Sequence, residues 1–166
     1  MNTKNTDTII NLAALIAIPY SYEAVESFIY TNVIGVNNIL SASIRNNCKV
    51  IHTSTSEVYG EPEKFPISEN EKVFAKSPYA ATKIAGDQLC LSYYRSFGLP
   101  ITLIRPFNTF GPRQSLRAII PTIIKQFLSK NKVIKLGSLF PIRDLTYIDD
   151  TVEGFINAIE NKKCIR

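Results

Sequence analysis

Tyr79 and Lys83 stand four residues apart in SPYAATK, at the start of a segment whose pattern is helical, so both side chains fall on one face about 6 Å apart along the axis. A tyrosine is a weak base at neutral pH, and an ammonium beside it favours the phenolate and lets it accept a hydroxyl proton. A second cluster, Thr53, Ser54, Thr55, Ser56 and Glu57, follows an apolar run: small hydroxyls that can bond a substrate hydroxyl, then one carboxylate that can remove a proton beside a carbonyl. Taken singly, each has a plainer reading. The first is a surface helix pair, and the second a turn whose Ser and Thr side chains cap backbone groups. The only histidine, His52, precedes the hydroxyls inside the same run, and strand alternation turns it away from Thr53 and Thr55; it reads as structural.

The elements that must position these groups alternate. Thr8 to Ala14, Val50 to Thr55 and Ile101 to Arg105 are short apolar runs rich in β-branched residues and read as buried strands. Tyr22 to Asn46 carries apolar residues at helical spacing. Pro78 to Phe97 reads as a helix with Ser77 as N-cap, Pro78 at its first position and Gly98 just past its end. A helix over Ile119 to Ser129, a short strand over Val133 to Leu136 and a helix over Asp150 to Glu160 follow. The order strand, helix, strand, helix, strand predicts an α/β fold with a parallel sheet, in which ligands bind beyond the carboxyl ends of the strands. The helix from Pro78 has apolar residues on more than one side, which predicts a homodimer.

Composition narrows the classes. At 166 residues the chain suits one domain, and 45% hydrophobic with 20% charged residues is globular. No run of eighteen apolar residues occurs and the start, MNTKNTDT, is polar, so neither a membrane partner nor a signal peptide is expected and the expected location is the cytoplasm. The lysines and arginines behind the net charge of +5 are scattered, which argues against a nucleic-acid partner. Cys48, Cys90 and Cys164 lack CxxC spacing and read as reduced thiols, with no metal site.

Six blocks in order resemble the extended short-chain dehydrogenase/reductase family, in particular its nucleotide-sugar epimerases, dehydratases and decarboxylases: NLAA from Asn11, TNVIGVNNIL from Thr31, TSTSEVYG from Thr53, SPYAATK from Ser77, RPFNTFGPRQ from Arg105 and RDLTYIDD from Arg143. The resemblance implies a Rossmann-like doubly wound parallel sheet and a nucleotide-diphosphate sugar as substrate. It implies NAD as cofactor, with NADP open. Thr55, Tyr79 and Lys83 match the catalytic hydroxyl, base and lysine, and Ala13, Ala14, Ser54, Tyr79, Lys83 and Pro106 fall on the cofactor side. Asn32 matches a residue bracing its helix against the active-site strand, while Asn108, Arg113 and Arg143 match groups facing substrate phosphate or carboxylate.

Within that family Glu57 argues for chemistry beyond epimerisation. Thr55, Ser56 and Glu57 match the Thr-Ser-Glu form of the 4,6-dehydratase triplet. Tyr79 would take the proton of the sugar 4-hydroxyl as hydride leaves C4 for NAD, Glu57 would take the C5 proton acidified by the new ketone, water would leave from C6, and the hydride would return there. Serine cannot supply the acid that Asp provides in other members, so Glu57 would both take and return the proton. Uronate decarboxylases share Thr-Ser-Glu and need an arginine facing the sugar carboxylate, a place Arg143 could fill; a 4-epimerase is the third reading. Family members begin with a G-x-x-G-x-x-G turn that receives the cofactor pyrophosphate, and none of the seven glycines here precedes Gly35. The expectation is a partial domain over 1–166, truncated at both ends, which alone is an inactive remnant or needs a partner chain to complete its nucleotide site.

Overall fold

The computed structural model describes residues 6–130 and 132–161, so Cys164 lies outside the described residues. Two compact units are formed: the chain up to Pro106 together with the segment from Phe155 onward, and the stretch from Phe107 to Gly154.

The first unit is built on a three-stranded parallel sheet, β1 (Thr8–Asn11), β2 (Lys49–Thr53) and β3 (Ile101–Ile104), in that spatial order. Ile10 pairs with Ile51 and His52 with Leu103 in register. The expected strand to Ala14 stops at Asn11, whose side-chain Oδ1 accepts the N–H of Ala13 and so diverts the backbone from the ladder.

The segment read as one helix from Tyr22 to Asn46 is three pieces. A short α1 (Ile18–Ser21) precedes α2 (Val25–Ile29), which passes through a widened π turn (Tyr30–Ile34) into α3 (Gly35–Asn46). The widened turn is held from outside: Asn32, inside it and buried, accepts from Leu15 N–H at 2.9 Å, donates to Leu15 C=O at 2.9 Å and donates to Thr82 Oγ1 at 3.1 Å. Asn32 thus braces the loop after β1 and the neighbouring helix, rather than the strand bearing Thr55.

The helix α4 (Pro78–Phe97) keeps its expected bounds: Ser77 Oγ accepts from Ala80 N–H at 3.1 Å, Pro78 opens it, and Gly98 at φ 66° closes it. Val36 and Leu40 of α3 and Cys90 of α4 pack on Val50, Leu99 and Ile101 to form the core, all under 5% exposed. Cys48 and Cys90 are free and buried.

The second unit holds a two-stranded parallel pair, β4 (Asn108–Phe110) and β5 (Leu145–Tyr147), with α5 (Ile119–Leu128) between them in sequence; α6 (Ile148–Glu160) follows, its residues up to Gly154 in this unit and those from Phe155 in the first. Val133 to Leu136 is not a strand. Lys135 spends its backbone N–H and C=O on the side chain of Gln126, at 2.8 Å each, so the amide of one glutamine replaces a ladder partner. No helix among the described residues is long and apolar enough to cross a membrane.

Candidate active site

The carboxyl end of β2 and the first turns of α4 bring the two sequence clusters together. Thr55 is the extended residue that opens a 3₁₀ turn, Ser56–Tyr59, and its Oγ1 accepts the Glu57 N–H at 3.2 Å. Ser56 N–H donates to the carbonyl of Pro106 at 3.1 Å, which pins this turn to the end of β3. Across from it Tyr79 is 6% exposed, with its phenol close enough to the Thr55 hydroxyl to be influenced by it, and its ring meets the buried Phe28 edge-on at 6.3 Å. One turn along, Lys83 is 4% exposed and its Nζ donates to the carbonyl of Thr53 at 2.6 Å. Thr55, Glu57, Tyr79 and Lys83 therefore share one end of the sheet. Ser54 is buried, while Ala13 is exposed and Ala14 half-buried on the loop after β1.

The expected lowering of the phenol by Lys83 is not what this geometry gives. Burial raises the pKa of Tyr79 above the ordinary value; the nearby Thr55 hydroxyl opposes that rise, and the carboxylates of Glu57 and Asp87 add to it. Lys83, directed at the Thr53 carbonyl, is itself pulled below the ordinary lysine value by burial, against the charge of Asp87.

Beneath the pair lies a buried polar group that spacing alone did not single out. Asp87, 1% exposed, takes Arg105 Nε and Nη2 on its Oδ2 at 3.0 Å each, and Arg105 Nη1 donates to Tyr59 Oη at 2.9 Å. His52 joins it, with Nδ1 3.2 Å from Asn11 Nδ2 and Nε2 3.9 Å from Asp87 Oδ1. Burial, reinforced by the charge of Lys83, drives the His52 pKa down to about 3. The available signal was a carboxylate four residues past Lys83 on the same helix face, where a charge has no solvent to meet.

The remaining expected residues lie in the second unit. Asn108 opens β4 and its N–H donates to Asp144 C=O at 3.2 Å. Arg113 lines an open groove of about 800 Å³ whose walls include Phe110, Ile120, Ile124, Leu128 and Tyr147. Arg113 holds a left-handed backbone at φ 66°, which non-glycine residues adopt only when their surroundings impose it. Arg143 is exposed. No cluster of three or more His, Cys, Asp or Glu side chains among the described residues could hold a metal.

Residues 1–165 match the family described as GDP-mannose 4,6 dehydratase. The chain belongs to that family. A UDP-N-acetyl-alpha-D-glucosaminuronate decarboxylase of Bacillus cytotoxicus is 34% identical over 165 residues, spanning 94% of this chain and 51% of that protein. A dTDP-glucose 4,6-dehydratase of Streptomyces griseus is 33% identical over 157 residues, 94% of this chain and 48% of its own. Among solved structures, a UDP-glucuronic acid 4-epimerase of Bacillus cereus, in complex with UDP-glucuronic acid and NAD, superposes with a TM-score of 0.87 at 35% identity, covering 96% of this chain and 51% of that one. The Rossmann-like α/β fold is thereby established. The chain spans about half the length of the curated relatives it matches.

Proposed function

We propose that this chain carries the catalytic half of a nucleotide-sugar 4,6-dehydratase that uses NAD. The observation that carries the reading is that the Tyr79 phenol and the Thr55 hydroxyl share one sheet end with a carboxylate, Glu57, whose backbone N–H is bonded to that same hydroxyl. An epimerase needs the phenol and the hydroxyl only. Relatives of three activities share the fold, and the carboxylate favours dehydration over epimerisation, while decarboxylation would need in addition an arginine facing a sugar carboxylate, a place Arg143 could fill.

The residues present fit a dinucleotide. Thr53 Oγ1 is buried without a hydrogen-bond partner, Lys83 spends one of its three donors, and Ala13 and Ala14 leave the loop after β1 free of bulk. When bound, NAD supplies a hydride acceptor that also returns the hydride. Ala13, Ala14, Ser54, Lys83 and Pro106 would hold it. Tyr79 takes the proton of the sugar 4-hydroxyl while Thr55 orients that hydroxyl; Glu57 takes the proton from C5, next to the new ketone, and delivers it to the departing C6 hydroxyl, after which C5 regains a proton from solvent and Tyr79 releases its own to solvent. In this reading Asn108, Arg113 and Arg143 bind the nucleotide-diphosphate portion, two copies pair through α4, where Tyr94 and Phe97 are exposed, and the protein works in the cytoplasm.

The test is mass spectrometry of dTDP-, UDP- and GDP-sugars incubated with the chain and NAD in deuterated water. The same test is run on a longer polypeptide carrying a glycine-rich N-terminal unit. A dehydratase yields a product lighter by one water and bearing a solvent deuteron, abolished by Glu57→Gln. An isomer of unchanged mass refutes dehydration in favour of epimerisation, and loss of carbon dioxide from a uronate refutes it in favour of decarboxylation. Turnover by the longer polypeptide alone assigns the chain as a part that needs completion.

A further inference from the structure

Lys83 is a buried cation with no carboxylate within ion-pairing reach among the described residues, since its one hydrogen bond goes to a carbonyl. An ammonium so placed tends to lose its proton unless a negative charge faces it. The titratable groups that interact with its charge are Asp87 and Cys90 on its own helix and His52 on β2. Cys90 is held neutral, its thiol pushed up to about 12 by burial first and by Asp87 next. His52 is neutral as well. That leaves Asp87, one turn further along α4, as the buried counter-charge.

The surroundings of Asp87 are built to keep it so. Burial pushes its pKa up; Ser54 and then Arg105 and Lys83 oppose this, with Ser54 Oγ beside the carboxylate but outside good hydrogen-bonding geometry. Arg105, a cation at any ordinary pH, is fixed on Oδ2 by two donors and braced by Tyr59, over whose ring its guanidinium carbon lies 5.1 Å from the centroid. Oδ1 faces His52. The state of that imidazole follows from the chain of bonds behind it: Ala13 N–H donates to Asn11 Oδ1 at 3.3 Å, so the amide nitrogen of Asn11 faces His52 and Nδ1 accepts. The ring proton is then on Nε2, aimed at Asp87. Gly86 leaves room for this approach, since a Cβ there would stand 3.4 Å from His52 Nε2 and 3.2 Å from Asn32 O.

We propose that Asp87 is a positioning residue which keeps the Lys83 ammonium charged and seated on the Thr53 carbonyl. Asp87 is held on one oxygen by Arg105, itself braced by Tyr59, while His52, 3.9 Å from the other oxygen and backed by Asn11 at the end of β1, stands on its far side. The inference rests on reading Tyr79 and Lys83 as the catalytic pair, but its test needs neither NAD nor sugar, so its failure and that of the dehydratase reading are separable.

Because His52 is the only histidine, selective nitrogen-15 labelling of the full chain gives one imidazole in the spectrum. The wild-type ring should be neutral with its proton on Nε2, and should stay so through the range of about pH 5 to 8 in which a free imidazole titrates. A ring protonated on Nδ1 instead would overturn the proposal without any variant being made. The second measurement follows the Lys83 side chain by carbon-13 labelling at Cε, assigned by its loss in Lys83→Arg. Asp87→Asn should lower the proton affinity of Lys83 by about tenfold and shift the His52 Nε2 resonance, and Asp87→Glu should restore most of both. A Lys83 that titrates in Asp87→Asn as it does in the wild type, with the fold intact by circular dichroism, would refute the role.

Discussion

Acid should weaken this protein through a single side chain, and the amount can be worked out. His52 has a pKa of about 3 in the fold and 6.5 as a free side chain. Between those values the unfolded chain binds a proton that the folded chain refuses, so stability is complete above about pH 6.5 and is lost as pH falls toward 3. At pH 5 the unfolded imidazole is about 1.5 units below its pKa, and at about 1.4 kcal/mol per unit the loss from pH 7 to 5 is about 2 kcal/mol. His52→Gln removes the titration but keeps an acceptor for Asn11 and a donor toward Asp87. Urea unfolding at the two pH values should therefore show the wild type losing about 2 kcal/mol more than the variant. Equal losses would mean that His52 is protonated in the fold and that the buried, neutral imidazole is wrong.

Other consequences are simpler. Asn32→Ala strands the N–H and C=O of Leu15 and one bond of Thr82, and should cost about 2–4 kcal/mol by the same unfolding assay; a cost under about 0.5 kcal/mol would show that water replaces the amide. Gly60 has φ 64°, and a Cβ there would meet the backbone oxygen of Phe74 at 2.4 Å, so Gly60→Ala should sever the Phe74 N–H to Val58 C=O bond and expose the segment 61–73 to protease several-fold faster. Tyr79→Phe should abolish hydride transfer in any active form, measured as loss of the hydroxyl-to-ketone step, while leaving the fold intact because Phe28 still packs on the ring.

What could be read in advance was what local chemistry decides. Ser77, Pro78 and Gly98 bounded α4 because capping acts within a few residues. The Thr55–Glu57 and Tyr79–Lys83 clusters were visible because each lies within one turn. The breaks were imposed from far along the chain. Periodicity from Tyr22 to Asn46 carries no trace of Leu15 drawing Asn32 outward, and the apolar run at Val133 could not reveal that Gln126 would take its hydrogen bonds. β4 and β5, three residues each, are too short to carry a period. The charge balance at Tyr79 is hidden from the sequence for the same reason: spacing sets Lys83 near it, but burial and the Thr53 carbonyl are tertiary facts.

The widened turn at Tyr30–Ile34 works as a phase setter. Each helical residue advances the facing direction by about 100°, so a regular helix through this stretch would present everything before it at a different angle to everything after. Losing one residue from the turn would heal the helix locally and improve its own hydrogen bonding, yet swing Phe28 away from the Tyr79 ring or Asn32 away from Leu15. Length changes at this point are therefore the kind that leave a polypeptide foldable while misdirecting one of these contacts, and altered side chains should be tolerated here far more readily than an altered count.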